Sequence, residues 1–229
     1  MDFFCKTKNG DFWVSDLDNS QSVELYYFKV WEQHLLDVID KYVVEGTVAI
    51  DAGANFGSIS VPISKKLGSS GKLYSFEMSK VMASRLKRNI EQNKCSNVEL
   101  LNIALSDVAD QSVFFGELEE DQKTNFGDIR INKEAEGTEV KTTTIDSLNI
   151  QDRVSFIKVD CQGYDLKVMR GAKETIEKHR PVVVFEWEDD MSSDFNDTIE
   201  DVLAFYSELN YKVNKIEKDD WIAIPNEVS

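Results

Sequence analysis

The chain has 229 residues, with 42 Asp plus Glu against 26 Lys plus Arg and a net charge of −16. That length reads as one domain, and 41% hydrophobic residues supply a sizeable core. So acidic a chain repels polyanions, which argues against nucleic acid or an anionic membrane as main partner. No apolar run approaches the ~18 residues of a membrane-spanning helix. Three scattered cysteines without a CxxC pair, and only two His, argue against a disulfide framework or a zinc site. The start M-D-F-F-C-K-T-K lacks the pattern of a secretory signal, so a soluble cytoplasmic protein is expected.

Residues 1–29 read as an appendage of short strands and turns. Asn9-Gly10 and Asp18-Asn19-Ser20 are turn signals, and 23–28 is an extended aromatic stretch. The main domain is expected over 30–229. Val30, Leu35, Val38, Ile39, Tyr42 and Val43 recur at helical spacing, which predicts a helix over 30–44 closed by Gly46. A strand at 48–50 ends at Asp51. A glycine turn then leads into a helix over 57–67, in which Pro62 is a conflict unless the helix starts late. Residues 72–76 form a strand. Ser79 can cap a helix in which Met82, Leu86 and Ile90 stack, and 98–103 is the next strand. Two β-like stretches, 113–115 and 140–144, flank a polar loop at 117–139. Then follow a strand (154–159), a helix (164–179), a strand (182–187) and a helix (196–209). A hairpin of 211–216 and 221–224, turning at Lys218-Asp219-Asp220, closes the chain.

This alternation predicts an α/β fold with a doubly wound, mostly parallel sheet finished by an antiparallel strand. Such sheets bind ligands beyond the carboxyl ends of their strands, so function is expected near 51, 77, 104, 160 and 186. The first strand runs into D-A-G-A-N-F-G at 51–57. Gly53 permits a sharp turn and a close ligand approach, and Gly57 lets the next helix pack close. Glu77 lies 20 residues beyond Gly57 and ends the second strand. An acid at that distance accepts hydrogen bonds from ribose hydroxyls. Together these imply an adenosine-containing cofactor, NAD or S-adenosylmethionine.

These motifs, with N-I-A-L-S-D at 102–107, T-T-T-I-D-S-L at 142–148, I-K-V-D-C-Q-G-Y-D-L-K-V-M-R-G-A at 157–172 and R-P-V-V-V-F-E at 180–186, resemble the FkbM-type S-adenosylmethionine-dependent methyltransferases. The resemblance covers about 30–190. It implies a seven-stranded class I, Rossmann-like fold with a short N-terminal β/α appendage. It also implies O-methyl transfer to a hydroxyl of a sugar, glycan or other small acceptor. The cofactor would be held by Asp51, Gly53, Asn55, Gly57, Glu77, Asn102, Ala104 and Asp160. Asn125, Phe126, Gln162 and Tyr164 would face the acceptor.

Asp160, ending the fourth strand, is the expected base for the acceptor hydroxyl. Lys158 shares its strand face and would pair with Asp160 or Glu186 if buried. Glu186 ends the fifth strand, and Asp160 with Glu186 could hold Mg²⁺. The family usually reads D-x-E-G-x-E here. This chain has Asp160-Cys161-Gln162-Gly163-Tyr164-Asp165, so a neutral amide replaces one carboxylate. Two other readings stay open: a nicotinamide-dependent oxidoreductase, although no GxGxxG is present, and a non-catalytic S-adenosylmethionine-binding protein.

The charge is uneven. Residues 182–211 hold nine acids and no Lys or Arg, and 117–121 holds four more. Both runs lie near the expected acceptor side, which predicts a neutral or cationic acceptor rather than an anionic one.

Overall fold

The computed structural model describes residues 1–119, 123–132, 134 and 136–227. Two acids of the polar loop, Glu120 and Asp121, lie outside the described residues. The strands are β1 (Asp2–Lys6), β2 (Asp11–Ser15), β3 (Val48–Ala52), β4 (Lys72–Phe76), β5 (Val98–Leu101), β6 (Ala104–Leu105), β7 (Ser112–Phe115), β8 (Thr138–Thr143), β9 (Val154–Val159), β10 (Val182–Glu186), β11 (Tyr211–Glu217) and β12 (Asp220–Pro225). The α-helices are α1 (Gln21–Phe28), α2 (Gln33–Tyr42), α3 (Ser60–Leu67), α4 (Lys80–Gln92), α5 (Asp165–Arg170), α6 (Lys173–His179), α7 (Asp189–Ser192) and α8 (Ile199–Glu208). None of the described helices is long and apolar enough to cross a membrane.

Seven strands form the main sheet, in the order β11-β12-β10-β9-β3-β4-β5. β3, β4, β5, β9 and β10 run parallel; β12 runs against both β10 and β11. The antiparallel strand is last in sequence, yet in space it is inserted one strand in from the edge. All five residues of β3 are buried, as a strand covered on both faces requires. Val48, Ile50 and Ala52 pack with Leu166, Met169, Val202 and Tyr206 of α5 and α8. Ala49 faces the other way, among Leu35 and Ile39 of α2 and Ile63 and Leu67 of α3. A smaller sheet, β6-β8-β7, and the hairpin β1-β2 complete the structure. The hairpin is tied to α4 by Asn89 Oδ1, which accepts from Trp13 N at 2.8 Å, and Asn93 Oδ1, which accepts from Asp11 N at 2.9 Å.

Three local expectations are corrected. The aromatic stretch at 23–28 is not extended; it belongs to α1, because Asp18 accepts the Ser20 and Ser22 amides at 3.1 and 2.7 Å and Leu25 points into the core. The helix expected at 57–67 starts only at Ser60. Pro62 therefore sits in its first turn, where no intrahelical N–H is needed. The helix expected over 164–179 is two. A Cβ on Gly171 would meet the Ser106 carbonyl oxygen at 2.0 Å, and Asp146 accepts the Glu174 and Thr175 amides to start α6 afresh.

Candidate active site

The carboxyl ends of β3, β4, β9 and β10 open into one cleft. Its floor is built by backbone approach. Gly53, at φ 77°, brings the turn after β3 so close to β9 that a Cβ would lie 1.8 Å from the Asp160 carbonyl oxygen. The close neighbour at this glycine is thus the adjacent strand-end backbone. Gly57 has the packing role its position implied, since a Cβ there would press on Leu86 of α4 at 2.6 Å.

Glu77 lines the cleft above β4. One carboxylate oxygen accepts from Asn55 N at 2.8 Å and the other from Ser79 N at 2.9 Å. Burial pushes its pKa up to about 7 in spite of those amides. Asn55, at φ 51°, turns its side-chain amide to the Phe126 carbonyl at 2.9 Å and so ties the glycine turn to the front loop. Phe76, Met78, Ile103, Ala104 and Leu105 form an apolar wall beside Glu77.

Under the floor lies a buried ion cluster. Lys158 faces Asp51 in register across β9 and β3. Its ammonium is 2.9 Å from Asp160 Oδ2, 3.7 Å from Asp51 Oδ1 and 3.1 Å from the Gly53 carbonyl. Burial alone would lower the Lys158 pKa, but Asp160 and Asp51 hold it above the ordinary value. Neither Lys158 nor Asp51 lines the cleft. Asp51 is fully buried, with Oδ2 accepting from Ser60 Oγ and Oδ1 facing the Lys158 ammonium at 3.7 Å, so it does not reach the cleft where a cofactor contact was foreseen.

Asp160 does reach the cleft. Burial would raise its pKa, but Lys158 and the hydrogen bonds from Glu186, Lys158 and Gln162 bring it below the ordinary value. Glu186 goes the other way. The Asp160 charge and burial push it up to about 11, so it holds a proton at neutral pH and shares it with Asp160. Gln162, strained at φ 50°, donates its amide nitrogen to Asp160 Oδ1 at 2.8 Å and to Glu186 Oε2 at 2.6 Å. The amide thus occupies oxygens that a cation would need. Among the described residues no group of three His, Cys, Asp or Glu is arranged to hold a metal, and the donor set does not fit the Mg²⁺ site considered from sequence. Asp165 caps the turn, accepting from Cys161 N at 2.8 Å and Gly163 N at 3.0 Å.

Asn55, Asn125, Ala104, Gln162 and Tyr164 line the cleft. Besides Asp51 and Lys158, three foreseen residues do not: Phe126, Asn102 and Gly57, the last packed against Leu86. Phe126 is 2% exposed and packs with Phe12, Leu25 and Phe56, so it anchors the front loop from behind. Asn102 spends its amide on the Glu77 and Met78 carbonyls at 2.7 and 3.0 Å and fixes the turn after β4. Glu32 and Glu188 line the cleft without having been singled out as site residues. Glu32 precedes α2 at φ 48°, and burial with the Asp220 and Asp160 charges pushes it up to about 8. A Glu at a helix start, where Ser, Thr, Asp or Asn is the rule, was the available signal.

The methyltransferase FkbM domain model matches residues 51–213, more than half of the chain. The chain belongs to the FkbM methyltransferase family. Among curated proteins nothing matches. Solved structures share the fold at low identity. The methyltransferase FkbM from Methylobacillus flagellatus aligns with a TM-score of 0.52 at 15% identity, over 92% of this chain and 55% of that one. A candidate rRNA methylase from Clostridium thermocellum aligns with a TM-score of 0.53 at 10% identity, over 85% and 94%. A candidate methyltransferase from Streptococcus mutans, solved with S-adenosylhomocysteine, aligns with a TM-score of 0.50 at 12% identity, over 83% and 94%. The strand order of the FkbM-family chain is that of a class I, Rossmann-like methyltransferase sheet.

Proposed function

We propose that the chain is an S-adenosylmethionine-dependent O-methyltransferase acting on a hydroxyl of a sugar, glycan or other small acceptor. The observation that carries this is the division of one cleft. Gly53, Glu77 and Ala104 lie over β3 to β6, and Asp160 and Glu186 lie over β9 and β10.

The cofactor half fits the group. Each Glu77 oxygen accepts one backbone N–H and keeps capacity for a ribose hydroxyl. The wall of Phe76, Met78 and Ile103 suits a flat apolar base. When bound, S-adenosylmethionine supplies an electrophilic sulfonium methyl. The chain's own contribution is chiefly alignment, which can account for roughly 7–11 kcal/mol of a barrier. Asp160, ionised and fixed by Lys158 and Gln162, takes the hydroxyl proton as charge leaves the acceptor oxygen. Its low pKa makes it a weak base, so this help comes late in the transfer. Lys158 is a positioning residue, because it holds Asp160 without reaching the cleft. The −16 charge argues against an rRNA acceptor.

Calorimetry with S-adenosylmethionine and NAD, followed by radiolabelled methyl transfer to a panel of sugars and hydroxylated small molecules, tests the reading. Micromolar binding of S-adenosylmethionine, none of NAD, and label on a hydroxyl are expected. Tight cofactor binding with no transfer to any acceptor would instead favour a non-catalytic binding protein.

A further inference from the structure

Five carboxyl side chains line the cleft: Glu32, Glu77, Asp160, Glu186 and Glu188. No Lys, Arg or His does so among the described residues. The acids are not spread evenly. Glu77 stands alone above β4. The other four gather at the opposite end, where β9, β10, the start of β12 and the start of α2 meet. The register sets this corner: Glu186 pairs with Asp220 across β10 and β12, and Trp187 N donates to the Asp219 carbonyl at 2.8 Å. Glu32 feels the charges of Asp220 and Asp160, and Glu188 those of Asp219 and Asp160. β4 and β10 are three strand spacings apart, or about 14 Å. The acid corner is therefore remote from the cofactor half.

The cations nearest this corner are already engaged. Lys158 is below the floor with Asp51, Asp160 and the Gly53 carbonyl. His34 lies between Asp220 at 2.6 Å and Glu217 at 3.3 Å. Arg130 is the one cation that eases Glu188, and it lies 3.7 Å from Asp128. Glu32 takes a hydrogen bond from the Trp31 side chain, and no described residue forms an ion pair with it or with Glu188. Burial first, and the repulsion of neighbouring carboxylates second, raises the pKa values of Glu32 and Glu188; at Glu186 the Asp160 charge comes first and burial second, and Lys158 or Arg130 offsets each rise only in part. A cationic ligand relieves that repulsion; a neutral one leaves it in place.

We propose that the acceptor carries a protonated amine, which seats between Glu32 and Glu188 and presents a neighbouring hydroxyl to Asp160. This rests on the methyltransferase reading and narrows its substrate class to small amino alcohols, of which amino sugars are the natural cyclic members. The amine is an anchor and stays protonated, because the surrounding acids favour its charged form. The methyl therefore goes to oxygen, whose proton passes to Asp160 while the sulfonium becomes a neutral thioether.

The test is calorimetric titration of the protein saturated with S-adenosylhomocysteine. The probes are 2-amino-2-deoxyglucose against its N-acetyl form, and 6-amino-1-hexanol against 1,6-hexanediol. The amine of each pair should bind about tenfold tighter or more, and the advantage should shrink as salt rises. Glu32→Gln and Glu188→Gln should each remove most of it and leave S-adenosylhomocysteine affinity within about twofold. Equal binding within both pairs, or no binding of either amine, would overturn the proposal while cofactor binding stands. Failure to bind S-adenosylhomocysteine at all would overturn the methyltransferase reading instead.

Discussion

The missing side chain of Gly53 is occupied space: a Cβ there would sit 1.8 Å from the carbonyl oxygen of Asp160. Positive φ adds a second reason for glycine. Gly53→Ala should destabilise the protein by about 2–4 kcal/mol, from overpacking together with the left-handed backbone. It should also separate the turn from β9 and abolish binding of S-adenosylmethionine. Urea unfolding and calorimetry check both. A variant of unchanged stability would mean that β3 and β9 can part without cost.

Lys158 holds two buried carboxylates together. Lys158→Met should cost about 3–5 kcal/mol, because Asp51 and Asp160 lose their counter-ion. Asp51→Asn should cost less, since Ser60 can still bond to the amide oxygen. The unfolding midpoints of the two variants give the comparison.

Stability should fall from mildly acidic to mildly alkaline pH. In the folded chain Glu32 is raised to about 8 from 4.5, Glu77 to about 7 from 4.5, and Asp165 to about 7 from 3.8. Between those limits the folded state binds more protons than the unfolded state, so raising the pH favours unfolding. Above pH ~9 these three groups contribute no further slope. Asp160 and Glu227 work in the opposite sense, since both are lowered and their stabilisation is lost as pH drops below ~4. Urea midpoints should therefore be highest near pH 5 and lower at pH 8.5, and Glu32→Gln should flatten the decline.

Gln162 separates this chain from the acidic pattern of its family. Gln162→Glu would place a third carboxylate against Asp160 and Glu186 and remove the amide donor. The variant should gain a thermal upshift with millimolar Ca²⁺ or Mg²⁺ that the parent lacks, since hard cations favour clustered oxygens. An identical response of parent and variant would show that the geometry cannot hold a cation.

Glu77→Gln keeps the shape but can accept only through one atom, so either Asn55 or Ser79 loses its partner. S-adenosylmethionine should bind about 10–100-fold more weakly, as one or two hydrogen bonds to ribose are lost. Titration against the parent measures this directly.

The sheet was legible because its strands are short apolar runs that each end in a polar residue at the same edge. Asp51, Glu77, Asp160 and Glu186 could therefore be placed at strand ends before any coordinates. Finer placements were not legible. Asp51 and Asp160 are both strand-end acids, and only the pairing of β3 with β9 shows that one is under the floor and the other in the cleft. Phe126 stands in a polar loop, yet its core partners come from β2, α1 and the glycine turn, far off in sequence. α1 escaped because its aromatic residues are largely outside; Tyr27 and Phe28 are 71% and 70% exposed, and Leu25 alone marks an apolar face. Glu32 arrives from the start of α2, which packs on the sheet face above Ala49. No local spacing records that approach.

β12 is the strand that enters the main sheet backwards, and this has an evolutionary consequence. Every parallel strand meets the cleft through a loop that must also lead into a crossover, so its length is tied to the packing of a helix. β12 meets it through the hairpin turn at Lys218 and Asp219, which is tied to β11 and, by the Asp219 carbonyl, to Trp187 N, but leads into no crossover. Residues added or exchanged there would rebuild the rim beside Glu186 and Glu188 with the rest of the sheet intact. Related chains are thus free to diversify at this turn, and a library confined to it would explore new acceptors at little risk to folding.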